Sequence, residues 1–248
     1  MERLRQDDFR AHRQSGPKRL GLTTPDEQAW CRWYGAEVYD GHGAIVEWGA
    51  WLGSLTTSYC EGLLANPRVS GAGKVAFAYD LFRWEPWCED EVKGTEHAGR
   101  LTVGESFVDY FAALHAPYRH LLDARAANLE QAEWNGAPIR LIINDAVKTL
   151  PIGKGAFASF LPSLMPGDGL LANQDYLWPT DSFLALPYLL RDSFDFEYTV
   201  PDSCMVIFRC RQTPNLVRDA RLAGKRQSLM YDFQLDVLGQ WGYGELLS

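Results

Sequence analysis

Two apolar runs near the C-terminal end, Phe194 to Val200 and Cys204 to Cys210 (CMVIFRC), are separated only by Pro201-Asp202-Ser203. A link this short cannot return the chain to the start of a parallel neighbour, which needs a crossover of about a dozen residues or more. The last two strands must therefore run antiparallel. Upstream, apolar runs alternate with helical patterns. Ala44 to Trp48, Lys74 to Tyr79 (KVAFAY), the weaker His120 to Arg125, Ile139 to Ile143 (IRLII) and Gly169 to Ala172 read as strands. Between them, helices are expected over Pro25 to about Tyr39, Ser54 to Leu64, Ser106 to Leu114, Ala156 to Leu164 and Asp181 to Arg191. The first helix is announced by Thr24-Pro25-Asp26-Glu27: a capping hydroxyl, Pro at the first helical position and acids in the first turn. The alternation predicts a doubly wound α/β fold, a mostly parallel seven-stranded sheet closed by an antiparallel C-terminal hairpin.

With 248 residues, 46% of them hydrophobic, the chain can bury one sizeable core. Residues 1–22 are polar and basic and read as a loose arm; 23–210 read as one domain, from which 81–104 departs as a lid-like insertion. The tail, 211–248, is expected to pack on that domain and to close with a helix around Ser228 to Leu238. Twenty-four basic against 32 acidic residues leave a net charge of −8, which argues against nucleic acid or an anionic membrane as partner. No apolar run approaches the ~18 residues of a membrane span, and the N-terminus lacks the pattern of a secretory signal. The five cysteines show no zinc spacing. Reduced thiols and a cytoplasmic location are the expectation.

The strongest chemical signal is Val46-Glu47-Trp48-Gly49-Ala50-Trp51-Leu52-Gly53-Ser54, a strand running into a glycine turn and a helix, followed by Tyr79-Asp80 at the end of the next strand. Glycines at such a turn let a ligand approach the backbone, and an acid ending the second strand can hold ribose hydroxyls. A nicotinamide site would show GxGxxG and an acid about 20 residues on. Here the spacing is GxxxG and Asp80 lies further away, which suits a nucleoside ligand without phosphates and disfavours a nicotinamide-dependent oxidoreductase.

On these residues the chain resembles the class I S-adenosylmethionine-dependent methyltransferases, whose sheet is Rossmann-like with an antiparallel end. The likeness runs from about Pro25 to Cys210. The segments VEWGAWLGS and AYDLF further resemble the macrocin-type and sugar O-methyltransferase branch. The resemblance implies S-adenosylmethionine as cofactor, with Glu47, Gly49 and Gly53 on its methionine side, Trp51 also in the cofactor site, Asp80 on the ribose and Asn128 beside the adenine, where the family usually has an acid.

A second constellation lies at later strand ends, expected to face the same crevice. Asn144-Asp145 ends IRLII with Lys148 close behind, and Asn173-Gln174-Asp175-Tyr176 ends the following strand. Two nearby carboxylates can hold a hard divalent cation, or one can act as general base toward a hydroxyl. In the metal-dependent branch the resemblance implies an Asp here and an adjacent Asp pair after the next strand, together binding Mg2+. This chain has Gln174-Asp175 in place of the pair. Asp145 and Asp175 are the candidate ligands, and Asp145, Lys148 and His97 the candidate catalytic residues. The plainer reading makes Asp145 and Asp175 turn residues, and Lys148 and His97 solvated side chains.

Nine Trp residues are many for this length. Trp30 and Trp33 sit on the first helix and suit packing. Trp84, Trp87 and Trp178, with Tyr176, fall near strand ends and suit an aromatic wall for a sugar-like acceptor, whose C–H face stacks on rings; bulk packing is the alternative for each. The expected activity is methylation of a hydroxyl on a sugar or other polyhydroxylated small molecule, with a homodimer surface offered by the Trp-rich lid and first helix. The competing reading is a catalytically degenerate binding protein of the same fold.

Overall fold

The computed structural model describes residues 8–14, 20–176 and 192–214. Their strands are β1 Ala44–Trp48, β2 Ala76–Asp80, β3 Leu122–Ala126, β4 Ile139–Asn144, β5 Leu170–Asn173, β6 Phe194–Thr199 and β7 Val206–Cys210. They form a seven-stranded sheet in the order β3-β2-β1-β4-β5-β7-β6. β2 with β3 and β4 with β5 pair in parallel, and β7 runs antiparallel to both β5 and β6. The hairpin expected from the three-residue link is present, with Phe194 opposite Cys210 and Thr199 opposite Val206. The architecture is the mostly parallel, Rossmann-like α/β sheet. By its internal contacts the chain divides into two compact units, one containing Asp7–Gly41 and Val46–Asn128, the other His42–Ile45 and Leu129–Ser248.

In the unit built on Val46–Asn128, α1 spans Pro25–Trp33 and begins with a reciprocal cap. Thr24 Oγ1 accepts from the Glu27 amide at 3.2 Å, and Glu27 Oε2 accepts from the Thr24 amide at 2.7 Å. The expected continuation to Tyr39 is not regular α-helix. Tyr34–Val38 form a wider π-helical turn, in which the Tyr39 amide bonds Tyr34 O at 2.8 Å. Residues 8–14, expected within a loose arm, are tied down. Phe9 is buried 6.4 Å from the Trp33 ring, and Arg13 pairs with Asp26. After β1, α2 covers Ser54–Ala65. The 81–104 insertion contains α3, Pro86–Glu91, and precedes α4, Val108–Leu114. It is pinned at its base, where the Phe107 amide bonds Phe82 O at 2.7 Å and the Trp84 amide bonds Glu105 O at 2.8 Å.

In the other unit, β4 and β5 are buried along their whole length, as continuous apolar runs in a covered parallel sheet should be. α5 spans Leu150–Phe160, starting six residues before the expected Ala156, with Thr149 as its cap. Gly153 and Gly155 disguise this start as a loop. The glycine at 155 serves packing: a Cβ there would stand 2.4 Å from Glu130 O. The expected helices at 181–191 and around Ser228 to Leu238 lie outside the described residues. Among the described residues, no helix is long and apolar enough to cross a membrane.

Candidate functional site

The turn after β1 is drawn against the end of β2. Gly49, at φ +87°, donates its amide to Tyr79 O at 2.8 Å, and Gly53 donates to Ala50 O at 2.8 Å. Trp51 sits inside that turn at φ +44°, a conformation that strains a bulky residue. Asp80 secures it: Oδ2 accepts from the Trp51 amide at 2.9 Å, and Oδ1 from the Phe82 amide at 2.7 Å. Burial pushes the Asp80 carboxyl above its ordinary range, while backbone donors from Trp51, Phe82 and Leu81 pull it back down. With one amide donor on each oxygen, each still has a lone pair that a ligand hydroxyl could use. The Ala127 amide bonds Asp80 O at 2.8 Å, which brings the exposed Asn128 to this edge.

Glu47 is placed differently from the expectation that it lines the ligand. Only 2% exposed, its Oε2 accepts from Thr56 Oγ1 at 2.5 Å and from Tyr59 Oη at 2.9 Å, both on α2. It ties the strand to the following helix. Around it, burial first and the Glu47 charge second push the Cys31 and Cys60 thiols and the Tyr59 hydroxyl well up.

Behind the turn lies a residue that the sequence left unassigned. His115 is buried, stacked on Phe111 with ring centroids 4.1 Å apart. Its Nδ1 lies 2.9 Å from Phe111 O, a pure acceptor, so Nδ1 carries the proton. Nε2 lies 3.1 Å from Thr57 Oγ1 and 3.3 Å from Gly53 O. Gly53 itself, at φ +80°, starts α2.

The aromatic candidates separate. Trp87 is exposed, its ring 5.3 Å from that of Trp51, so these two form an accessible aromatic pair beside Asp80. Trp84 does not line an open surface. It is 1% exposed, packs edge-on to Phe107 at 5.5 Å and donates its indole N–H to Glu89 at 2.5 Å. Tyr176 is also buried, edge-on to Phe208 at 5.1 Å. Of the candidates for an acceptor wall, Trp84 and Tyr176 thus fill core. Trp178 lies outside the described residues. His97, in the insertion, is held by Tyr110 Oη at 2.7 Å from Nδ1.

In the β4–β5 unit the second constellation does assemble. Lys148 Nζ pairs with Asp145 Oδ1 at 3.0 Å and also with Asp175 Oδ2. Below them Asn144 and Asn173, partners in strand register, are hydrogen-bonded side chain to side chain. Asn144 Oδ1 also accepts from the Val147 amide at 3.0 Å, shaping the turn that carries Asp145. The Mg2+ implied by the resemblance does not fit this donor set. An ammonium already lies against both carboxylates, the neighbouring Asn144, Asn173 and Gln174 are uncharged, and among the described residues no three His, Cys, Asp or Glu side chains converge.

No protein-family model and no curated protein matches the chain. Among solved structures, the apo form of a TDP-rhamnose 3'-O-methyltransferase of calicheamicin biosynthesis is similar with a TM-score of 0.54 and 14% identity, over 77% of this chain and 81% of that one. A calicheamicin methyltransferase structure gives 0.48 and 16%, over 67% and 72%. An O-methyltransferase from Bacillus cereus in complex with SAH gives 0.45 and 12%, over 77% and 82%. The sheet order, the antiparallel hairpin and the first of these likenesses give this chain the fold of the S-adenosylmethionine-dependent methyltransferases.

Proposed function

We propose that this chain is an S-adenosylmethionine-dependent methyltransferase that acts on a hydroxyl of a small polyhydroxylated acceptor such as a sugar. The observation that carries the reading is Asp80, a partly buried carboxylate ending β2 and clamped to the Gly49–Gly53 turn by the Trp51 amide. A carboxylate beside a glycine turn at the end of parallel strands suits the hydroxyls of a nucleoside. Gly49 and Trp51 would receive the methionine part, Asp80 the ribose and Asn128 the adenine edge. Bound there, S-adenosylmethionine supplies an electrophilic methyl group. Glu47 fixes the strand-to-helix geometry, and the His115 ring packs against Gly53.

A hydroxyl that accepts a methyl group must lose its proton, and Asp145 is the base we assign to it, with His97 as the alternative. Lys148 fixes the Asp145 carboxylate. The solvent-exposed Trp87 offers a face for the acceptor ring. The sugar assignment draws support from the TDP-rhamnose enzyme of the same fold and from the Trp51–Trp87 pair. The net charge of −8 favours a small-molecule acceptor over nucleic acid.

Calorimetry with S-adenosylmethionine, S-adenosylhomocysteine and NAD tests the reading. Heat with the two sulfur compounds and none with NAD is expected; no heat with either sulfur compound would sink it. The neutral Gln174 beside Asp175 favours one second reading, a binding protein of this fold without turnover. Cofactor binding that Asp80→Ala abolishes, with no methyl transfer to any hydroxylated acceptor, would select it.

A further inference from the structure

We propose that Lys148 is a built-in cation, holding Asp145 and Asp175 in place of the divalent metal that such a carboxylate pair would otherwise bind. The inference deepens the proposed function, on which its catalytic side rests, but its geometry stands alone. Lys148 Nζ contacts a carboxylate oxygen of each Asp, one following β4 and one following β5. All three side chains are partly exposed, at 37%, 26% and 30%, so this is a water-accessible cluster and not a buried structural ion pair. A metal ion bridging the same two carboxylates would have to displace the ammonium or stand within a few ångströms of it.

The surrounding groups point the same way. Asn173, 1% exposed at the end of β5, has an Nδ2 with no hydrogen-bond partner among the described residues. A buried amide N–H left without an acceptor is costly. The Asn173 amide oxygen already accepts from the Asn144 amide. Lys148 thus provides a donor, and Asp145 and Asp175 acceptors, which is a set suited to a polyhydroxylated molecule. On this account the positioning charge is covalently part of the chain, and hydroxyl recognition needs no divalent ion.

The test is a titration with Mn2+ alone, followed by the electron paramagnetic resonance signal of the free ion, on the full chain. Lys148→Ala and the near-isosteric Lys148→Gln should bind Mn2+ about tenfold or more tightly than the unsubstituted protein, because a positive charge beside the ion's position is removed. Lys148→Arg should behave like the unsubstituted protein. Adding Asp145→Asn or Asp175→Asn to Lys148→Ala should cancel the gain. Lys148 is partly exposed, so circular dichroism melts of the neutral variants should match the parent, and whichever variant melts normally is decisive. Tight Mn2+ binding by the unsubstituted protein, or no gain in a folded neutral variant, overturns the proposal. Since S-adenosylmethionine takes no part in this titration, its outcome is independent of whether the chain binds that cofactor, which the calorimetry above decides.

Discussion

Gly53 faces His115 so closely that a Cβ built on the glycine would stand 2.3 Å from the imidazole Cε1 and Nε2. The ring cannot swing aside, because it is stacked on Phe111 and bonded at both nitrogens. Gly53→Ala therefore meets two obstacles, a left-handed backbone at φ +80° and a clash with packed atoms. Urea denaturation should show a loss of about 2–4 kcal/mol. Gly53→Ala combined with His115→Ala should cost less than the sum of the two single changes, since the clash is absent from the double variant. Strict additivity would mean that the two residues are not coupled.

Asp80 makes the cofactor reading sensitive to pH in a defined direction. Burial raises its carboxyl, so its contribution to the stability of the ligand-free fold is full below the ordinary carboxylate range and is lost as pH rises through the raised value. Ligand hydroxyls bond the ionised form. Affinity for S-adenosylhomocysteine should therefore weaken as pH falls through that raised value, and Asp80→Asn should flatten the profile. At neutral pH, Asp80→Ala should weaken binding by about 10- to 100-fold. A calorimetric pH series checks all three statements.

Separation of roles gives a third prediction. Asp145→Asn should lower kcat by about 10²–10⁴-fold while the heat of cofactor binding is unchanged. Trp87→Ala should raise KM for the acceptor alone. Because Trp87 contacts Trp51 from an exposed position, the stability cost should stay near 1 kcal/mol. A Trp87→Ala protein that instead loses cofactor affinity would assign that ring to the nucleoside.

The cysteines supply a fourth. Cys31, Cys60, Cys88 and Cys210 are buried and free, and burial raises each thiol, Cys210 up to about 11. The thiolate is the reactive form. In the native protein at neutral pH, Ellman's reagent should therefore modify Cys204, which is only partly covered, well before the other four. Equally rapid modification of Cys31 and Cys60 would mean that α1 and α2 open readily.

Much of this architecture could be read from local pattern. The Pro201-Asp202-Ser203 link fixes the hairpin, and the Thr24 cap fixes the start of α1, because each depends on residues adjacent in sequence. What escaped depends on distant partners. His115 acquires its role from Gly53 and Thr57, some sixty positions away, with no neighbouring acid to mark it. Gly155 looks like a helix breaker until Glu130 is seen against it. Trp84 and Tyr176 are ring-bearing residues near strand ends, as an acceptor wall requires, yet burial, which sequence does not reveal, makes them core. Lys148 could be paired with Asp145 by spacing, but its contact with Asp175 needs β4 beside β5.

The bonds from Thr56 and Tyr59 to Glu47 have an evolutionary corollary. The carboxylate is shut away from water, so its two hydroxyl donors are obligatory, and each hydroxyl in turn would be stranded without it. None of the three positions is free to drift alone. Across relatives of this chain, an apolar residue at position 47 should arrive together with Phe at 59 and a small apolar residue at 56. Variation at these three sites should be inherited as one character.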